Sequence, residues 1–212
     1  MSDGSSIGVE SLKPIHGLTV LMTPTFGFLE RGGGACGEHS HGISIWQHFS
    51  NRLGKGKVTE VTAMMDIVDD GNVKYDRVAQ LGLRTEKGFT GWVIQDVVTE
   101  PSVKTVRIQG ERGALEWYAN YMAGNDAVVY LDPENGSKET LIPKTRPDDF
   151  IGEIQHIEEI LDGKAKAEES PISMERGLET MLVIAAAYKS GIENKTVKID
   201  YGVGFSSNAL SS

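Results

Sequence analysis

The sequence predicts an α+β fold: an open, predominantly antiparallel β-sheet with helices packed on one face. Three observations lead there. Runs rich in Val, Ile, Thr and aromatics follow one another from Lys57 to Pro143, short turns of Gly, Asp and Asn separate them, and apolar spacing of three and four is confined to one segment before this stretch and two after it. Glycine is abundant, 25 of 212 residues, against a usual share of about 7%.

In chain order, residues 17–24 (GLTVLMTP) read as a first strand, followed by a Gly-rich corner from Arg31 to Gly37. Ile43, Trp46, Phe49 and Leu53 then form the apolar stripe of a helix that starts near Glu38 and ends at Gly54. KVTEVTAMMDIV runs up to an Asp69-Asp70-Gly71-Asn72 turn. VAQLGLRT meets GFTGWVIQDVVT across Glu86-Lys87-Gly88, SVKTVRIQ meets ALEWYA across residues 110–113, and DAVVYLD meets KETLIP across residues 132–136. Loops this short join antiparallel neighbours, since a parallel return needs a dozen residues or more. The middle therefore reads as one antiparallel meander.

Two helices follow. Asp148 and Asp149 supply N-terminal acids for the first, whose stripe is Phe150, Ile151, Ile154, Ile157 and Leu161 and whose end is Gly163. The second takes Ser173 as its cap, turns Leu178, Met181, Leu182, Ala185 and Tyr188 inward, and stops before Gly191; TVKIDY then returns to the sheet. The polar linker DGKAKAEES is no domain boundary, so residues 1–212 read as one α+β domain. Neither face of residues 92–98 is consistently polar, nor of residues 103–109. The sheet face away from the helices is therefore expected to form a homo-oligomer interface or to be an ordinary exposed face. Arg107 and Gln95 are the candidate polar contacts in such an interface, or Val106 and Ile94 if the register slips by one.

Composition excludes several classes. With 30 acids against 21 bases the formal charge is -9 and there is no dense basic run, so nucleic acid is excluded as a partner. No apolar run reaches the length of a membrane span. One cysteine, Cys36, forbids an intrachain disulfide and suits a cytoplasmic location. The triplets at Asn135 and Asn194 accordingly mark surface turns.

The chemistry concentrates in GACGEHSHGISIW. Glu38, His39 and His41 crowd a helix start, where the dipole favours a neutral imidazole that can accept a proton. A second reading takes Cys36, His39 and His41 as metal ligands, with His48 further along. Two residues of a helix separated by one point about 200° apart, which works against it. A third reading has one histidine capping the helix and the other solvated. His16 and His156 are read as structural. Gly32, Gly34 and Gly37 satisfy G-x-G-x-x-G, but an antiparallel meander follows and the expected ribose-binding acid is missing, so no cofactor-binding residue is assigned. These glycines instead let the helix pack tightly and free its first amides for a substrate oxygen.

GGGACGEHSHGISIWQ resembles the G-G-G-x-L-x-D-x-G-x-H-x-x-D-L segment of the glucose-fructose oxidoreductase/inositol dehydrogenase/MocA family of NAD(P)-dependent oxidoreductases. The resemblance continues through LRTEKGFTGWVIQDVVT, VRIQGERGALEW, KTRPDDFIGEIQHI and ERGLETMLVIAAAYKSG, nearly the whole chain in order. It implies the C-terminal substrate and oligomerisation domain of such an enzyme, acting on a sugar, cyclitol or related polyhydroxy compound. It makes His41 the group that takes a hydroxyl proton while hydride passes to nicotinamide, and pairs Glu38 with it. Gly34 and His39 are expected to bind substrate.

The pattern is departed from in three places. The family's acid four residues before the histidine is Gly37 here, with Glu38 one residue later; the family's second aspartate is Ser44; and the NAD(P)-binding Rossmann domain with its Glu-Lys-Pro lysine is not within the 212 residues, Leu12-Lys13-Pro14 being only a faint echo. NAD or NADP is thus implied by the resemblance, carried by a Rossmann domain from which these residues are an excised or truncated piece or by a separate Rossmann chain, and the chain alone is expected to be inactive and not to bind it. The rival class is a non-catalytic sugar-binding or assembly module.

Overall fold

The computed structural model describes residues 6–12, 27–145 and 147–212. Among them, β1 (Ser6–Leu12), β2 (Val58–Asp69), β3 (Lys74–Thr85), β4 (Thr90–Asp96), β5 (Val103–Gly110), β6 (Gly113–Met122), β7 (Asn125–Asp132), β8 (Gly136–Pro143), β9 (Val197–Ile199) and β10 (Leu210–Ser211) make one sheet. Its order is β10-β9-β2-β3-β4-β1-β5-β6-β7-β8. The helices are α1 (Ala35–Glu38), α2 (His41–Arg52), α3 (Asp148–Leu161) and α4 (Met174–Glu193). No helix among the described residues is long and apolar enough to cross a membrane.

The hairpins form where turn chemistry places them. Asp70 Oδ1 accepts the amides of Asn72 at 2.9 Å and Val73 at 3.0 Å, and Asp132 Oδ1 accepts those of Glu134 at 2.9 Å and Asn135 at 3.1 Å. Each acid closes the loop of its own hairpin and so fixes the register beyond it.

The uninterrupted meander gives way to a different topology. β4 and β5 do not pair: β1 lies between them, parallel to β4 and antiparallel to β5. The run SIGVESL, polar by composition, is thus an inner strand. Gly8 is the reason it fits at that point, because a Cβ there would stand 2.4 Å from the Trp92 ring that lies across it. The strand predicted at residues 17–24, Lys13 and His16 lie outside the described residues.

One face of β2, β3, β4 and β5 is covered by α1, α2 and α4. Ile43 and Trp46 of α2 are fully buried with Val61, Leu81, Val93, Val106, Leu182, Val183 and Ala187, and burying a side chain such as Ile43 stabilises by about 1.5–3 kcal/mol. Ser173 caps α4 as predicted, accepting the Arg176 amide at 3.5 Å, but the helix runs on past Gly191 to a left-handed Asn194. Its inward face also differs from the predicted one: Met181 and Ala185 are exposed, while Glu179, Val183 and Ser190 point down. Polar ties to β2 and its approach set that rotation. Lys57 Nζ lies 2.8 Å from Glu179, and the Ala63 amide donates to Ser190 Oγ at 2.9 Å.

α3 is the second departure. It spans the predicted residues, yet it buries none of them: Phe150, Ile151, Ile154, Ile157 and Leu161 all face outward, and its half-buried positions are His156 and Ile160. His156 Nε2 lies 2.8 Å from Ser170 Oγ. Periodicity identifies the apolar side of a helix without saying what that side meets.

A one-residue alternation assigns the open face. Gly8 pairs with both Trp92 and Arg107, so Trp92, Ile94 and Arg107 share that face, whereas Gln95 and Val106 lie beneath the helices. The predicted pairs, Arg107 with Gln95 or Val106 with Ile94, are therefore crossed. On the open face Arg107 pairs with Glu116, and the Tyr118 hydroxyl donates to Glu116 at 2.6 Å.

Candidate active site at a helical corner

The helix predicted from near Glu38 to Gly54 is α2, and a further helical turn, α1, precedes it over Ala35–Glu38. The chain breaks step at His39 and Ser40, so that α1 ends and α2 begins with His41 as its first helical residue. This break separates the two histidines. His39 is buried at the end of α1 and His41 is exposed at the start of α2. Glu38 is exposed on the last turn of α1, across the break from His41.

The first two residues of α1 are held by buried side chains from the sheet. Asp76 of β3 accepts the Cys36 amide at 2.6 Å and a bond from the Ala35 amide. Gln95 of β4 donates from Nε2 to the carbonyl oxygens of Ala35 at 3.1 Å and Cys36 at 3.4 Å. The Tyr188 hydroxyl of α4 donates to Asp76 at 2.8 Å, so one carboxylate joins α1, the sheet and α4. Four residues cannot make a stable helix alone. These three side chains supply the order.

The glycines follow from that arrangement. Gly34 has φ +101°, and a Cβ on it would stand 2.0 Å from Asp76 Oδ1; a Cβ on Gly37 would stand 2.3 Å from the Gly32 carbonyl oxygen. Two predicted roles are corrected here. The first amides of α1 are not free for a substrate oxygen, because Asp76 takes them, and Gly34 is buried against that carboxylate rather than open to substrate. For the same reason the G-x-G-x-x-G segment does not fit a pyrophosphate.

The metal reading is corrected as well. Cys36, His39 and His41 are not brought together as a ligand set: no cluster of three His, Cys, Asp or Glu able to hold a metal occurs among the described residues, and burial, with the Asp76 charge adding to it, pushes the Cys36 thiol up. Burial raises the Asp76 carboxyl above its ordinary value against the pull of its amide donors, and burial with the Asp76 charge beside it drives the Tyr188 hydroxyl up too.

α2 carries an exposed stripe from this corner. Residues 41, 44 and 48 are exposed on successive turns, and Ser44 Oγ lies 3.4 Å from Thr180 Oγ1. Ser44 and His48 separate two cavities. On one side an apolar groove of about 540 Å³ is lined by Ile45, Phe49, Val106, Trp117 and Ile172. On the other a polar cavity of about 360 Å³ opens between α2 and the start of α4. Sequence reasoning missed Asp76, Gln95 and Tyr188, which lie 40, 59 and 152 residues from Cys36. Their one local signal was a polar residue at an inward position of an apolar strand or helix.

No protein-family model matches the chain. No curated protein matches it. Solved structures do. An oxidoreductase from Agrobacterium radiobacter, in complex with NAD+, L-tartaric acid and magnesium, superposes with a TM-score of 0.68 at 20% identity, covering 93% of this chain and 57% of that one. Levoglucosan dehydrogenase, in complex with NADH and levoglucosan, gives 0.73 at 15% identity over 91% of this chain and 58% of its own. The WlbA dehydrogenase from Bordetella pertussis, in complex with NADH and UDP-GlcNAcA, gives 0.64 at 16% identity over 92% and 54%. At these identities the likeness is one of fold. The chain spans a little over half the length of each.

Proposed function

We propose that this chain is the substrate and oligomerisation domain of an oxidoreductase of the glucose-fructose oxidoreductase/inositol dehydrogenase/MocA family, whose C-terminal-domain fold it has. Its substrate is a sugar, cyclitol or related polyhydroxy compound, its location is cytoplasmic, and NAD or NADP is held by a separate Rossmann domain. The observation that carries this reading is the position of His41: exposed, first in α2, and anchored through a corner that Asp76, Gln95 and Tyr188 make rigid.

In this reading His41 accepts the proton of the substrate hydroxyl, a role for which a positioned imidazole is worth about 10²–10⁴ in rate. Glu38 on the preceding turn adds negative charge near that proton. His39 is buried behind them. Since the Gly32 to Gly37 corner does not fit a dinucleotide, this chain supplies the proton acceptor and the substrate surface. Levoglucosan, L-tartaric acid and UDP-GlcNAcA, the compounds held in complex by the similar structures, support a polyhydroxy substrate.

The open sheet face supports assembly. Met64, 68% exposed, and Trp92, 42% exposed, share it with Ile94 and the Arg107–Glu116 pair, and a standard stable interface needs about 800 Å² per partner. The rival reading, a non-catalytic sugar-binding or assembly module, keeps the same fold and dispenses with His41. Joining the chain to the dinucleotide-binding domain of a structural neighbour tests the choice: reduction of NAD+ or NADP+ in the presence of polyhydroxy compounds supports the oxidoreductase, and a folded fusion that turns over none of them supports the module.

A further inference from the structure

The polar cavity of about 360 Å³ lies beyond the corner, at the far end of α2. Its floor is buried and polar: Thr180 donates to Gln47 Oε1 at 2.9 Å, and both residues are nine-tenths buried. Two guanidinium groups border it, Arg52 from α2 and Arg176 from α4, with His48 and Asn51 between. Two carboxylates border it as well. Glu179, 1% exposed, is balanced by Lys57 at 2.8 Å and Arg176 at 2.9 Å, and Glu169 by Lys166 at 2.6 Å. Arg52 has no ion pair among the described residues. On a chain whose formal charge is -9, this cavity therefore keeps an uncompensated cation.

The cavity is continuous with the exposed stripe of α2. Ser44 lines it one turn from His41, and His48 stands seven residues, about 10.5 Å of helix, from His41. Arg52 lies eleven residues, about 16.5 Å of helix, from His41, so an acid held by its guanidinium extends along His48 and Ser44 within the cavity. We propose that this cavity is a subsite for the carboxylate end of a polyhydroxy acid, an aldonate or uronate, with Arg52 and Arg176 holding the carboxylate and Gln47, His48, Asn51 and Thr180 meeting the hydroxyls. The arrangement suits that chemistry because guanidinium groups take carboxylates in a planar, bidentate fashion. Burial first, and then the charges of Arg52 and Arg176, lower the His48 pKa. A neutral ring can give or accept a hydroxyl bond.

This subsite deepens the proposed function and rests on it for the substrate class. Its test uses the chain as it stands, without nicotinamide. Calorimetric titration with D-glucuronate and with D-glucose, which has the same ring without the carboxylate, is expected to show millimolar binding of the acid and binding weaker by about tenfold or more of the neutral sugar, the size of one charge-assisted contact. Arg52→Gln, an exposed substitution that leaves the buried Glu179 pair intact, is expected to remove that preference while thermal unfolding stays unchanged. Equal binding of the two sugars, absence of glucuronate binding, inorganic phosphate binding as tight as glucuronate, or an Arg52→Gln protein that keeps the preference each overturns the subsite. If glucuronate binds as described and the fused enzyme turns nothing over, the oxidoreductase reading fails and the subsite stands.

Discussion

Asp76 and Tyr188, 112 residues apart in sequence, meet at 2.8 Å in the interior, and the carboxylate that joins them also takes the first amides of α1. This one buried group thereby ties the corner beside His41 to both the sheet and the longest helix, with Gln95 adding a second tie to the sheet.

That group makes a prediction about pH. Burial raises the Asp76 pKa above its unfolded value, so the native state binds this proton more tightly, and the stability contributed by the residue is present at low pH and declines as pH rises through the folded value. The stability difference between the native protein and Asp76→Asn is expected to shrink as pH is raised from about 3 toward neutrality, read by urea unfolding at each pH. A difference that grows with pH would mean that the amide and hydroxyl donors outweigh desolvation.

The same carboxylate sets a steric requirement. Gly34→Ala forces a Cβ toward Asp76 Oδ1 from a backbone at φ +101°, a combination expected to cost about 1–3 kcal/mol. Thermal unfolding checks it, with Gly204→Ala as a control: that residue has nearly the same backbone angles but nothing within 4 Å of the added carbon. Equal losses at the two positions would show that backbone strain alone, without the Asp76 contact, explains the glycine.

Much of this architecture is legible in the sequence because it is local. The hairpin turns at Asp70 and Asp132, the acids opening α3 and the Ser173 cap of α4 each act within three or four residues. What is not legible depends on distant pairing. The run SIGVESL alternates only from Ser6 to Glu10 before Ser11 breaks the pattern, and nothing near it announces that β4 and β5 receive it between them. The side chains that hold α1, Asp76 and Gln95, come from strands distant in sequence. The inward face of α4 is likewise turned by Lys57 and the Ala63 amide. Motif and helix start coincide at His41, so the sequence singles that residue out; the side chains that hold the corner beside it carry no such local signal.

The open sheet face predicts assembly. Light scattering at micromolar concentration should give a dimer or larger closed oligomer, and Met64→Lys with Ile94→Lys should return it to a monomer without lowering its unfolding temperature by more than a few degrees. A monomeric native protein would show that this face is solvated.

The Gly32 to Gly37 corner predicts silence toward dinucleotides. With the α1 amides taken by Asp76, the isolated chain should bind neither NAD(H) nor NADP(H) at millimolar concentration, measured by fluorescence or calorimetry. Tight binding would contradict the capped corner.

His41 is the residue on which the proposed chemistry turns, and the most direct measurement compares it with its neighbour His39 in the chain joined to a dinucleotide-binding domain. His41→Ala, an exposed change, should lower turnover by about 10²-fold or more with unfolding unchanged. His39→Ala, a buried change, should lower stability by about 1–3 kcal/mol while losing far less turnover in the folded fraction. Equal turnover of His41→Ala and the unsubstituted fusion would contradict the assignment of the proton acceptor and leave the chain a binding module.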